Sequence, residues 1–183
     1  KNAKKKDIII LLISILIGLP STVGLIILAE PILNLLFPNQ PEGKFLLQIS
    51  AISITFMMIS QNVNSVLHGL GKTIIPAISL AIGSAIKLFL NTVLVKINPE
   101  TFILGGTAGA AFSTVVYHII TFFMEYYIMK RNIKIDFGLK TIIKPIIATI
   151  LMAICLIFTY NCLLSIISYK LCIILALIVA VVT

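Results

Sequence analysis

The residues best suited to chemistry stand inside long apolar runs. Lys87 lies within the stretch from Ile74 to Val95, and Asn91, four positions on, shares its helical face. At 1.5 Å per residue, Lys87 falls about 20 Å along a helix begun at Ile74. An ammonium near a bilayer centre costs about 2.5–3.5 kcal/mol, and the twelve Leu, Ile, Val and Phe residues of the same stretch offset it by about 4–7 kcal/mol together. The helix can therefore insert with its lysine. Two roles fit such a group: attraction of an anionic headgroup, or an interhelical strut holding this helix to a neighbour.

Gln61, Asn62 and Asn64 crowd one end of an earlier apolar run, with Gln48 near its other end. Gln61 and Asn64 are three apart and share a face, as do Gln61 and Ser65, so they can line an aqueous vestibule or act as amide glue between helices. His118 lies in mid-run beside Tyr117, with Glu125 seven residues on along the same face; a proton relay or a hydrogen-bonded packing histidine fits. His68 reads as an interfacial residue. The substrate-site candidates are thus Lys87, Asn91, Gln61 and Asn64.

Other constellations fail. Gly71-Lys72-Thr73 imitates the tail of a nucleotide-binding loop, but Val66 stands where the first glycine is required and no strand precedes it. No nucleophile–base–acid set, metal cluster or pair of intramembrane carboxylates is present, which argues against an enzyme and implies neither a catalytic residue, a metal nor a cofactor. No Asp or Glu is placed well inside a span by this reading.

Composition explains where these residues must sit. Of 183 residues 60% are hydrophobic and 11% charged, against roughly 45–50% and about 25% in soluble domains. Runs of about 20 apolar residues recur, each able to cross a bilayer core of roughly 30 Å. The expected fold is all-α and transmembrane, a polytopic helix bundle of about six spans: 8–29, 45–67, 74–95, 105–129, 141–162, and 169–183, the last truncated. The first is taken to close at Glu30-Pro31, followed by a short amphipathic tail from Ile32 to Phe37. The chain opens on Lys1 rather than Met and stops inside an apolar run, so it is expected to be part of a longer protein. Ile8 to Ala29 exceeds the apolar core of a signal peptide and no small-residue cleavage site follows it.

Net charge is +8, yet the charges lie between spans rather than among exposed aromatics. They read as topology signals beside anionic lipid, not as a nucleic-acid surface. One set of loop ends holds Lys1, Lys4, Lys5, Lys6, Lys72, Lys130, Arg131, Lys134, Lys140 and Lys144; the opposite set holds Lys44, Lys96 and Lys170. The positive-inside bias puts the N-terminus of the chain, the Gly69-Leu70-Gly71-Lys72 turn and the loop around 130–140 in the cytoplasm. Pro20, between Gly18 and Gly24, is expected to kink or loosen the first span. The small residues Gly105 to Ala111 suit a close helix–helix seam. Cys155, Cys162 and Cys172 show neither zinc nor disulfide spacing.

Taken in order, Gln61…His68-Gly69-Leu70-Gly71-Lys72-Thr73-Ile74-Ile75-Pro76-Ala77 followed by Ile86-Lys87-Leu88-Phe89-Leu90-Asn91 resembles the stage V sporulation protein B branch of polysaccharide-biosynthesis flippases. Leu19-Pro20-Ser21, Ala29-Glu30-Pro31-Ile32 and Gly105-Gly106-Thr107-Ala108-Gly109-Ala110-Ala111 extend the likeness over roughly residues 1–180. The resemblance implies the C-terminal part of a transporter of about fourteen helices in two lobes, akin to multidrug and toxin extrusion transporters and to the lipid II flippase. It implies alternating access in the bacterial plasma membrane, a lipid-linked saccharide or cell-wall precursor as cargo, membrane lipids as neighbours and a possible coupling cation. In that setting Lys87 faces the central cavity and helps hold the lipid-linked phosphate. The competing readings are a cation-coupled multidrug antiporter, which would favour intramembrane acids over a lysine, a membrane-embedded enzyme of envelope polymer synthesis, and a structural scaffold. Short, nearly uncharged outer loops disfavour the enzyme.

Overall fold

The computed structural model describes residues 2–37, 43–98, 102–132 and 139–164, with side chains described over 12–37, 43–98, 102–131 and 143–160. These residues form five helices: α1 Asn2–Leu36, α2 Gly43–Gly69, α3 Ile74–Leu94, α4 Thr107–Asn132 and α5 Leu139–Leu164. Each contains a stretch long and apolar enough to cross a membrane, and among the described residues the fold is all-α as expected. The sixth expected span, 169–183, lies outside the described residues, as do Lys170 and Cys172.

The helix α1 corrects one expectation. It does not close at Glu30-Pro31 but continues as one α-helix through both Pro20 and Pro31 to Leu36. Each proline removes one backbone donor, which neighbouring helices can compensate in an apolar medium. Near Pro20 two carbonyls accept side-chain hydrogen bonds: Ser21 Oγ donates to Ile17 O at 2.7 Å, and Thr55 Oγ1 of α2 donates to Gly18 O at 3.1 Å.

Adjacency in space runs α5–α1–α2–α4–α3. The α1–α2 seam is polar at nearly every turn. Ser14 meets Asn62, Gly18 meets Thr55, the Thr22 and Thr55 hydroxyls share a hydrogen bond at 2.7 Å, and Gln48 Nε2 donates to Ile26 O at 3.2 Å. The row ends at the Lys44–Glu30 ion pair, 2.5 Å and exposed. On α1 these positions recur every fourth residue, the spacing of one helical face. Lipid tails are as apolar as leucine, so helices there associate through packing and such polar contacts.

The other seams are apolar or small. Leu28, Met152 and Leu156 join α1 to α5; Val63, Val66, Leu67 and Met129 join α2 to α4 at one end, and Ile49, Ala108 and Val115 at the other. Helix α3 packs on α4 through glycines: a Cβ on Gly83 would meet Thr121 Cγ2 at 2.7 Å, and one on Gly109 would meet Leu94 Cβ at 2.6 Å.

The turn between α2 and α3 has a simple cause. Lys72 N donates to Leu67 O and Gly71 N to His68 O, both at 2.9 Å, with Gly71 at φ +73°. This is a Schellman C-cap, whose left-handed residue favours glycine. Gly83→Leu is expected to destabilise the detergent-purified protein by about 1–3 kcal/mol through overpacking, and Gly71→Ala by roughly 1 kcal/mol through strain. Gly69→Ala, in open space, is expected to leave the thermal midpoint unchanged. Lys44→Ala should change stability by less than about 1 kcal/mol, because its exposed pair is screened by solvent.

Candidate functional site

The α3–α4 seam orders most of the candidate residues. On α3, Ser79, Gly83, Lys87 and Asn91 recur every four residues; on α4, Ser113, Tyr117, Thr121 and Glu125 do the same. The two rows pair antiparallel. Ser113 Oγ donates to Asn91 Oδ1, Lys87 Nζ lies 5.7 Å from the centroid of the Tyr117 ring, and Gly83 abuts Tyr117 and Thr121. Lys87 is half-buried and Asn91 is half-buried beside it, so the two share a face as their spacing required. Contact with the negative face of an aromatic ring stabilises the ammonium by about 0.5–2 kcal/mol. Among the described residues no acid pairs with Lys87. His118, half-buried, stacks its ring edge-on to Tyr117 at 4.7 Å.

The amides of α2 diverge instead of forming one stripe. Gln61 is exposed, with Ser65 Oγ donating to its backbone carbonyl at 3.0 Å. Asn62 turns to α1, where its Nδ2 donates to Ser14 Oγ, and also donates to Met58 O at 3.0 Å. Asn64 turns to α4. In the orientation that satisfies both groups, its Nδ2 donates to Glu125 Oε1 at 2.9 Å and Oε2 at 3.0 Å. The structure therefore brings Lys87 and Asn91 together, joins Asn64 to a different partner, and leaves Gln61 facing outward.

Glu125 is the residue that the sequence reading misplaced. The sequence places it seven residues beyond His118, where a proton relay or a packing histidine both fit, and leads to no acid well inside a span. Its side chain is fully buried within the membrane-length stretch of α4, seven residues from Asn132 and so about 10 Å from that helix end. The reason is rotational: Glu125 turns to Asn64 and Ser60 of α2 rather than toward solvent or lipid. Ser60 and Ser79, both buried, were not singled out either. The four-residue period running from Ser113 to Glu125 was the available signal.

The MatE family profile matches residues 1–93 of this chain. Over 161 residues the chain is 30% identical to the uncharacterized membrane protein YabM of Bacillus subtilis (strain 168), which covers 88% of this chain and 29% of that protein. The fold superimposes on the lipid II flippase MurJ in an inward closed conformation with a TM-score of 0.69 and 18% identity, covering 94% of this chain and 36% of that one. The chain thus spans about a third of the length of these relatives. Five membrane-length helices and the match over half its residues converge on one family: this chain belongs to the MatE family.

Proposed function

We propose that this chain is part of a membrane transporter that moves a lipid-linked saccharide or cell-wall precursor across the bacterial plasma membrane by alternating access. Membership of the MatE family and likeness of fold to a lipid II flippase support that class. The observation that carries the reading is Lys87: a half-exposed ammonium within a membrane-length helix, resting on Tyr117, without an acid partner among the described residues. An intramembrane cation of this kind faces an anionic group or a wet cavity rather than lipid tails. A lipid-linked phosphate supplies the anion, with Asn91 fixing the α3–α4 seam one turn away, while Asn64, bonded to Glu125, and the exposed Gln61 lie apart from it on α2. The loop charges support a cytoplasmic N-terminus for the chain.

Glu125 favours a second reading, a cation-coupled multidrug antiporter. A buried acid is a feature that such a pump would use, and it removes the objection that no intramembrane acid is present.

The test is growth of a bacterial strain lacking its own lipid II flippases, complemented with the full-length protein carrying Lys87, Lys87→Ala or Lys87→Glu at matched membrane abundance. Rescue by wild type and at least a tenfold loss of colony formation with both variants is expected. Equal rescue by all three would reduce Lys87 to a helix strut. Failure of wild type to rescue, together with protection against cationic drugs, would favour the antiporter.

A further inference from the structure

His118 has no part in the cargo reading, yet it stands beside the lysine on which that reading depends. Lys87 Nζ lies 5.7 Å from the centroid of the Tyr117 ring, and the His118 ring lies 4.7 Å from the same centroid at 67° to it. Lys87 is close enough for its charge to act on the His118 ring. The Tyr117 ring between them is held from α3, where a Cβ on Gly83 would meet its Cδ2 at 2.9 Å. Lys87 and His118 are both half-buried, so each keeps part of its surface open.

The other contacts of the two residues leave their polar ends unused. Among the described residues neither Lys87 nor His118 pairs with an acid, and the side-chain hydrogen bond at His118 goes to its backbone carbonyl, from Thr121 Oγ1 at 3.1 Å. Glu125, the acid on the same helix, is bonded to Asn64 instead. An imidazole carries at least one N–H in either protonation state. In a membrane such a donor needs an acceptor, whereas a ring kept only for its edge contact with Tyr117 needs no nitrogen. Two groups that can each be positive also repel at this range, and an anion that touches both replaces that repulsion with two attractions.

We propose that His118 is a second anion contact of the Lys87 site, its ring N–H donating to the phosphate group that the Lys87 ammonium attracts. This rests on the anion reading of Lys87 given above. A phosphate ester has several acceptor oxygens around one centre, so it can take the ammonium and the imidazole together. Lysine alone acts as a point charge on a flexible stem. The imidazole, set against Tyr117, adds a donor of fixed direction. Tyr117 is the positioning residue between them, since its ring touches both side chains without supplying charge.

The experiment is calorimetric binding of farnesyl phosphate, farnesol and inorganic phosphate to the detergent-purified full-length protein. Wild type is expected to bind farnesyl phosphate at least tenfold more tightly than farnesol. His118→Phe keeps a ring edge on Tyr117 and removes the N–H; it is expected to weaken farnesyl phosphate about tenfold and to leave farnesol unchanged. His118→Gln and His118→Asn carry an amide N–H near the Nε2 and Nδ1 positions, and one of the two is expected to restore binding to within about threefold of wild type. That contrast between the two amides remains a readout if the Phe variant misfolds. Unchanged binding in His118→Phe, with a loss in Lys87→Ala, overturns the role of His118 and leaves the anion reading of Lys87 standing. Equal weakening in the Phe, Gln and Asn variants also overturns that role, by assigning the loss to packing. No preference of wild type for farnesyl phosphate over farnesol overturns the anion reading itself. Inorganic phosphate binding as tightly as farnesyl phosphate overturns the lipid-linked assignment in favour of a free-phosphate site.

Discussion

The fold rests on one constraint: in a hydrocarbon medium, apolar side chains give helices no reason to choose one another over lipid. Choice must come from small residues that let backbones approach and from polar groups that need partners. Both devices appear here as rows at four-residue spacing. Helix α1 offers Ser14, Gly18, Thr22, Ile26 and Glu30 to α2, while α3 offers Ser79, Gly83, Lys87 and Asn91 to α4. The faces of α3 and α5 turned away from these seams carry Ile78, Ile82, Leu88, Phe89, Ile150, Ile154 and Phe158, all exposed and apolar. Such surfaces suit lipid or a neighbouring segment, and they do not determine the arrangement of these helices.

The same constraint sorts what was legible in the sequence. Membrane-length helices follow from hydropathy alone, because a long apolar run has few alternatives. The position of α1's end did not, since Pro31 is a reliable helix breaker only where water competes for freed carbonyls. Lys87 and Asn91 were correctly grouped on one face, as four residues nearly complete a turn. The amides of α2 were harder. Asn62 and Asn64 are only two apart, yet one serves α1 and the other α4, because α2 is sandwiched between both. A stripe drawn on an isolated helix cannot anticipate neighbours on two sides.

Glu125 shows the limit more sharply. Counting from the nearest basic residues, Lys130 and Arg131, it reads as a residue near a helix end. Its burial depends on the angle of α4 about its own axis, which the apolar pattern of that helix specifies weakly: Phe122, Phe123, Tyr126 and Tyr127 surround it, and only Phe123 and Tyr127 are exposed. The tilted ring pair Phe56–Phe122, 5.8 Å between centroids, helps set that angle. A basic and an acidic side chain consequently lie against α4 and on it, Lys87 over Tyr117 at a half-open part and Glu125 at a closed part.

The order of the helices along the chain is not their order in space. Helix α4 follows α3 in synthesis yet lies between α2 and α3, which touch little beyond their shared turn. During biogenesis α3 is made before the ring that will sit under Lys87 and the serine that will bond Asn91. Its own hydropathy suffices for a membrane span, and the glycine-capped turn is its main link to α2. The partners of both helices come with α4, so the contacts that fix α3 cannot be complete until α4 is in place.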